Sequence, residues 1–510
     1  MKISLTDLDK FEKEIIQKIS RLELEEAINS IVDGVHEIIN DPGSVALVFG
    51  SKRLDELCLK IGKTAYERIK HELRTEAPIN SDTVVSIASY LAPYGGHTLV
   101  LEDLIKAQPN KKHIILITDL FRNIDIGFLE KRFGHLAQIK ILPNVNSLKK
   151  LDLLMIELAE LAPEQIFLFN HHQDAVAISA IQPSLDKMNI MFYHHADHHL
   201  CLGVHLPYVK HIDPHNLGFY NCNIHEELHD NYYLPLIIED RGTRSESNSF
   251  CKDDQLKTCS CGTSNKFFSS YKFPYKELIV SRLQIREGVH IHVGDIPDEC
   301  LKEILEAIND LGIEPSRFVH ISWVPSLWKC LVDFNVDLYI SSFPIGGGRA
   351  TIEAMGSSTP LLMHQNNASS FHGGVDCAYN EAFVWSNRDE FERILKVISP
   401  SDLARHSILS RNHYEANHSP DKLTAALQLM LSEEATIKPP LLKKKNPDYL
   451  ERYLQMRSLI IEKLKRDYDI QVQGIEKKFS EELNLIHSSR SWKLTALLRR
   501  ISKLLRNFRD

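Results

Sequence analysis

Residues Val336–Gly356 read VDLYISSFPIGGGRATIEAMG. A short apolar run ends in two serines, crosses three consecutive glycines, Gly346, Gly347 and Gly348, and enters a predicted helix over Arg349–Ser357. Such a turn lets a ligand approach the backbone closely, and the helix N-terminus presents unpaired N–H groups and a positive dipole end to a phosphate. Each dipole contribution is about 0.3–1 kcal/mol, more where the site is partly buried. Arg349 in the first turn can add a charge-assisted bond and Thr351 a hydroxyl, while Glu353, one turn in, is placed to accept from ribose hydroxyls. The alternative is a tight strand–helix turn that needs glycine for geometry alone. Neither GxxxxGK[ST] nor GxGxxG is met.

On both sides of this stretch, β-rich runs alternate with helical segments. Before it lie Thr83–Leu91, His113–Leu120, Ala137–Pro143, Gln165–Asn170 and Asn189–His194; around it lie Leu256–Ser260, Val289–Val293, Arg317–Ile321, Val336–Ser341 and Pro360–His364. Near-continuous apolar runs separated by helices are the mark of parallel sheets covered on both faces. The polar stretch Glu239–Gln255 divides the runs into two sets and reads as a loop or crossing. The expected division is a helical region over 1–80, one doubly wound α/β domain over 81–240, a second over 241–437, and a helical tail over 438–510. Phe11, Ile15, Ile19 and Leu22 recur at helical spacing in the first region, which reads as a small helical cap or an oligomerisation element. Open α/β sheets bind ligands beyond the carboxyl ends of their strands, so two in tandem predict a site between them.

Three other strand ends carry chemistry. Cys259–Phe267, CSCGTSNKF, offers a polar turn through Gly262 and Thr263, and a cation, Lys266, suited to a diphosphate leaving group. Ala92–Thr98, APYGGHT, places His97 after a glycine turn, where it can accept a proton from an acceptor hydroxyl. Tyr193–His199, YHHADHH, suggests a metal at first sight. Its histidines lack fixed ligand spacing, so the segment is read as acceptor recognition or a second acid/base group, chiefly Asp197 or His195, and no metal or other cofactor is expected. Cys259 and Cys261 have no second pair nearby to complete a zinc site. G-x-S-x-G, HExxH and a DxD pair at a strand end are all missing, which argues against hydrolase and metalloprotease chemistry.

These motifs, over about residues 80–435 of the chain, resemble the GT-B glycosyltransferases. Among them the likeness is to the O-GlcNAc transferase family and its bacterial relatives, including adhesin N-glucosyltransferases. The resemblance implies that His97 in YGGHT is the active-site histidine and that Lys266 contacts the donor diphosphate. It implies that RFVHISWVPSLWK borders the nucleotide base through Val324, and that Thr351 and Glu353 take the phosphate and ribose places. Gly348 and Arg349 stand where the family has His-Thr, and no tetratricopeptide array precedes the catalytic part. Retaining GT-B enzymes pair two glutamates eight apart; here Ile345 stands eight before Glu353. The resemblance therefore implies metal-independent inverting transfer from a nucleotide-sugar, UDP-linked; together with the C-terminal tag described below, the expected acceptor is a glycan or lipid-linked one in bacterial surface-polysaccharide assembly. The alternatives are a protein O- or N-glycosyltransferase and a non-catalytic nucleotide-sugar-binding scaffold.

The 510 residues are 43% hydrophobic and 25% charged, an ordinary globular balance. From Lys443 onward there are 17 basic and 9 acidic residues, so a tail of +8 follows a body of −16 within a net charge of −8. That asymmetry argues against a nucleic-acid binder and for a tail with its own partner. Tyr449–Ile486 reads as a coiled-coil-like helix with apolar Leu454, Ile461, Leu464 and Tyr468, a route to self-association. In Ser488–Asp510, Leu494, Leu497, Leu498, Ile501, Leu504, Leu505 and Phe508 fall on one helical side and Lys493, Arg499, Arg500, Lys503 and Arg506 on the other. This suits an anionic bilayer surface, and SRSWKLT resembles a C-terminal tag of bacterial polysaccharide glycosyltransferases. The N-terminus lacks an apolar leader, and the nine scattered cysteines fit reduced thiols, so the expected location is cytoplasmic, on the inner membrane face.

Overall fold

A computed structural model describes residues 8–41, 44, 47–73, 78–93, 96–182, 185, 187–245, 249–269, 271–366, 374–433, 437–439, 449–496, 498, 499 and 501. Two parallel sheets organise the body. The first contains β1 (Asn80–Ala88), β2 (Lys112–Ile117), β3 (Gln138–Ile141), β4 (Pro163–Phe169), β5 (Asn189–Tyr193), β6 (Lys210–Asp213) and β7 (Tyr232–Tyr233), in the order β3-β2-β1-β4-β5-β6-β7. The second contains β8 (Thr258–Cys261), β9 (His290–Val293), β10 (Phe318–Ile321), β11 (Leu338–Ile340), β12 (Leu361–His364) and β13 (Phe383–Trp385), in the order β10-β9-β8-β11-β12-β13. Every pairing is parallel. The order reverses between β1 and β4 and again between β8 and β11, which makes those two points the crevices for a ligand.

The ten predicted strands are present. β6, β7 and β13 are additional: they span two to four residues, and a run such as KHID is too short and polar to show a period. Their sheets sustain them through pairing with β5 and β12.

Helices α1 (Leu8–Ser20), α2 (Leu24–Ile39) and α3 (Lys52–Ile69) precede the first sheet. They form part of its core and are not a detachable cap: Phe11, Ile15, Ile31 and Ile61 pack in one apolar cluster with Val85, Ile87 and Leu116. Leu22 departs from the predicted stripe, because α1 stops at Ser20 and Leu22 sits exposed in a left-handed turn at φ 60°. Around the first sheet lie α4 (Gly96–Lys106), α5 (Ile126–Phe133), α6 (Ser147–Leu161), α7 (Ala175–Ser179) and α8 (Asn216–His225). Around the second lie α9 (Ser264–Phe267), α10 (Tyr275–Ile285), α11 (Asp298–Asp310), α12 (Leu327–Asp333), α13 (Gly348–Gly356) and α14 (Arg388–Val397). The crossing at Glu239–Gln255 is pinned by Arg244, which reaches Asp337 Oδ1 at 3.1 Å.

The chain then returns. α15 (Pro400–Asn417) starts at a capping box between Ser399 and Asp402 with proline in its first turn, and α16 (Pro420–Ser432) follows. Tyr414 donates its hydroxyl hydrogen to Ile238 O at 2.7 Å, and Lys210 Nζ reaches Glu433 at 2.9 Å, so this last pair of helices ties onto the first half. One apolar cluster runs from Phe169 and Tyr193 through Tyr339 and Met363 to Leu427 and Met430.

The tail from Tyr453 is a separate compact unit. It is dominated by α17 (Tyr449–Ser488), 40 residues and about 60 Å long at 1.5 Å per residue. Tyr453, Leu464, Ile475 and Ile486 recur every eleven residues, as do Ile461, Val472 and Leu483. α18 (Arg490–Leu494) starts at Ser489, whose hydroxyl accepts from Trp492 N. Leu494, Leu498 and Ile501 of the predicted amphipathic stripe are exposed; Leu497, Leu504, Leu505 and Phe508, with Arg500, Lys503 and Arg506, lie outside the described residues. Among the described residues no helix is long and apolar enough to cross a membrane.

Candidate active site

At the switch point of the second sheet, the loops after β8 and β11 meet. A Cβ built on Gly347 would stand 3.1 Å from Lys266 Nζ and 3.6 Å from Ser342 Oγ, so the bare backbone leaves the space through which both groups face the turn. Gly347 is the N-cap of α13. Burial holds the Lys266 ammonium below the ordinary lysine range, and among the described residues no carboxylate pairs with it. Ser342 is fully buried, and its hydroxyl finds no partner among the described residues. A cation, a hydroxyl and a helix N-terminus thus converge on one volume, an arrangement that fits a phosphate oxygen.

The remaining second-domain candidates have defined places. Gly262 donates its N–H to Val293 O at 3.0 Å, and its carbonyl lies against Gly294, where a Cβ would stand 1.9 Å away. Thr263 is exposed and donates to Asn265 Oδ1 at 2.6 Å. Thr351 is buried and donates to Gly347 O at 3.0 Å, which commits its hydroxyl hydrogen to the turn itself. Glu353 Oε2 accepts from Trp328 N at 2.9 Å at the start of α12, and burial raises its pKa. Val324, in the loop entering α12, packs half-buried against the inner core. Gly346 is backed by Gly374 at φ 65°, whose Cβ would lie 3.6 Å from Gly346 Cα.

Arg349 does not point only at the glycine turn. Its Nη1 donates to Asp103 Oδ2 on α4 at 2.7 Å, bridging the two α/β domains. Burial raises the Asp103 carboxyl even though Arg349 opposes that shift.

In the first domain, His97 opens α4 beyond the end of β1. A carbonyl only accepts, so the 2.9 Å contact between His97 Nε2 and Tyr90 O places the hydrogen on Nε2. Burial depresses the pKa, which leaves a neutral ring with its lone pair on Nδ1. His195 stacks on it, ring centroids 5.4 Å apart at 22°, and Phe169 lies on His195 in turn at 6.2 Å. Burial drives His195 well below the usual histidine range, with His97 and His171 adding to the shift.

Asp197 is buried, and its Oδ2 accepts from His215 Nδ1 at 2.6 Å. Burial opposes charge on His215, but the Asp197 carboxylate and its hydrogen bond outweigh it and lift the imidazolium pKa to about 9. The other ring nitrogen, Nε2, lies 3.6 Å from the Cβ position of Gly348. A cation of the first domain therefore faces the first residue of α13 in the second. Alongside it, Asp376 receives Leu217 N at 3.3 Å and its carbonyl receives Asn216 Nδ2 at 3.1 Å.

The fold thus brings His97 and His195 together, and separately Lys266 with Gly347. Asp197 joins neither pair directly but reaches Gly348 through His215. Sequence reasoning missed His215 because it missed β6: PHN follows that strand directly, and strand-end reasoning applied there would have found it. It also missed Asn170–Asp174 after β4, although that strand was predicted. Asp174 accepts from Ser89 Oγ and Thr118 Oγ1, each at 2.6 Å, and from Ala177 N at 3.0 Å, so it ties the ends of β1, β2 and β4 together.

No family model matches the sequence, and no curated protein matches it. Solved structures do. The chain is similar to a glycosyltransferase of Rickettsia africae at 12% identity, over 70% of this chain and 98% of that one, with a TM-score of 0.51. It is similar to Anabaena HepE, solved with UDP and glucose, at 14% identity over 69% and 99% of the two chains, with a TM-score of 0.50. An O-GlcNAc transferase of Thermobaculum terrenum aligns over 82% of each chain at 12% identity and a TM-score of 0.47. The fold is GT-B: two doubly wound α/β domains with their switch points set against each other.

Proposed function

We propose that this protein is a nucleotide-sugar-dependent glycosyltransferase. The observation that carries the reading is the convergence of Lys266 Nζ, the buried Ser342 hydroxyl and the N-terminus of α13 on the Cβ-less Gly347, with His215 of the opposite domain facing Gly348. Four positive or donor groups on a glycine turn suit a diphosphate, and that HepE was solved with UDP and glucose supports uridine as the base. Glu353 and Val324 are assigned to the ribose and the base on the resemblance to the O-GlcNAc transferase family.

The transfer proceeds with inversion. His97 Nδ1 takes the proton of the acceptor hydroxyl, and the acceptor oxygen bonds to the anomeric carbon. The bond from that carbon to the diphosphate oxygen breaks, and its electron pair leaves on the diphosphate. Lys266, protonated His215 and the α13 N–H groups stabilise the departing charge, an electrostatic task of the kind worth about 3–4 kcal/mol per well-placed donor. The acceptor is a glycan or lipid-linked sugar of a bacterial surface polysaccharide.

Calorimetric titration with UDP, GDP and CDP tests the donor site, with Lys266→Ala and Glu353→Ala alongside. Tight binding of UDP alone, weakened by both substitutions, is expected; no binding of any nucleotide would sink the reading. Mass-spectrometric detection of sugar transfer, lost in His97→Ala, separates an enzyme from a binding-only scaffold, and a product on polypeptide rather than glycan would move the acceptor to protein.

The tail is proposed to serve assembly at the inner membrane face. The eleven-residue repeat of α17 suits pairing with a second copy of the helix, and residues 488–510 suit an anionic bilayer. Light scattering and vesicle co-sedimentation of the full chain against a chain ending at 487 check the two roles.

A further inference from the structure

Behind the residues of the proposed site lies a second constellation that the transfer reaction does not use. His194 directly follows β5, His211 and Asp213 belong to β6, and Cys222 lies on α8. All four are buried, and one donor atom from each lies within 4.8 Å of every other. Asp213 Oδ1 is 3.2 Å from His211 Nε2 and 3.3 Å from His194 Nδ1, and His194 Nδ1 is 3.3 Å from Cys222 Sγ. Tetrahedral zinc with bonds of about 2.0–2.3 Å sets its donor atoms about 3.3–3.6 Å apart; these three separations lie close to that range, and the other three pairs lie within 4.8 Å.

We infer that His194, His211, Asp213 and Cys222 form a structural zinc site. One central cation would serve all four donor atoms at once. The two imidazoles stand nearly perpendicular, centroids 5.1 Å apart at 75°, as diverging ligands of a tetrahedron do. Their distal nitrogens, His194 Nε2 and His211 Nδ1, have no partner among the described residues. Asn231 Nδ2 holds Asp213 Oδ2 at 2.8 Å and leaves Oδ1 for the centre. Two neutral imidazoles, a carboxylate and a thiolate carry −2 together, which one divalent cation neutralises in a dry volume. The thiolate and imidazole donors favour zinc over the oxygen-seeking magnesium and calcium.

Such a centre would clasp β5, β6 and α8 immediately behind His195, Asp197 and His215. It was not legible in the sequence, because YHHADHH supplies only one ligand, and the other three come from a strand and a helix further along.

The test uses the untagged full-length chain, purified without chelator. Elemental analysis is expected to give about one zinc per chain. Cobalt substitution should produce the visible absorption of tetrahedral cobalt together with a near-ultraviolet thiolate-to-cobalt band. Cys222→Ala should abolish that band, although eight other cysteines remain, and His211→Asn should lower zinc occupancy by at least tenfold. Should either variant fail to fold, X-ray absorption on the wild-type zinc protein decides: one sulfur in a shell otherwise of nitrogen and oxygen is expected. Wild-type protein that holds no zinc and takes up no cobalt overturns the assignment, and so does a thiolate band that survives in Cys222→Ala or a zinc shell without sulfur.

Discussion

Asp197 Oδ2 receives the His215 Nδ1 hydrogen at 2.6 Å, and the opposite nitrogen of that same ring faces Gly348 across the two domains. The carboxylate that sequence reading placed in an acid/base role is buried and acts through its neighbour: it keeps His215 charged. The His215 pKa is raised, so the stabilisation by this pair is complete below the ordinary histidine value and is lost as pH rises through about 9.

Asp197→Asn removes the counter-charge. The alkaline limb of the transfer rate should move from near 9 toward neutrality, with kcat/KM at pH 8 falling about ten- to a hundredfold. A pH–rate profile that superimposes on the wild type would exclude a cationic His215 from the reaction.

Gly347→Ala introduces a methyl 3.1 Å from the end of the flexible Lys266 side chain, which can swing aside without disturbing the core. Nucleotide affinity should fall by about tenfold or more, the loss of one charge-assisted contact, while the melting temperature stays close to the wild-type value. Titration calorimetry and a thermal melt on the same sample check both halves.

Gly356→Ala meets a rigid neighbour instead. Its Cβ would come within 1.9 Å of the Trp328 ring, which is fully buried between α12 and the helices around it. Overpacking of this kind costs about 1–3 kcal/mol or more, read as a lower urea midpoint. An unchanged midpoint would mean that the indole has room to move.

Asp55, buried on α3, accepts Gly203 N at 2.7 Å and His205 N at 2.8 Å. Burial outweighs those two bonds and raises its carboxyl to about 6. The stability contribution of the protonated group is therefore present below about pH 4 and lost as pH rises through 6. Asp55→Asn should flatten that part of the stability profile. It should also lower stability by about 1–3 kcal/mol, because an amide NH₂ cannot accept the second backbone N–H. Thermal melts of both proteins from pH 4 to 8 decide the matter.

Much of the fold was legible because it rests on local signals. The ten longer apolar runs, the glycine turn at Gly346–Gly348 and the helix starting behind it each announce themselves within about twenty residues of sequence. Lys266 and His97 were singled out by the same logic, since each lies in the loop or helix start after a recognised strand. The runs of β6, β7 and β13 are polar or only two to three residues long and carry no such period, and with β6 went His215, which faces Gly348 of the second domain.

Hydrophobic period and glycine placement are properties of contiguous residues, and they sufficed to read two doubly wound sheets and the glycine turn between β11 and α13. The side-chain pairings arise from folding. Arg349 spends its charge on Asp103, Thr351 bonds its own turn, Asp197 works through His215, and four residues spread from 194 to 222 converge on one point. Charge interactions and ligand geometry depend on distance in space, and crossovers between parallel strands bring together residues that the chain keeps far apart.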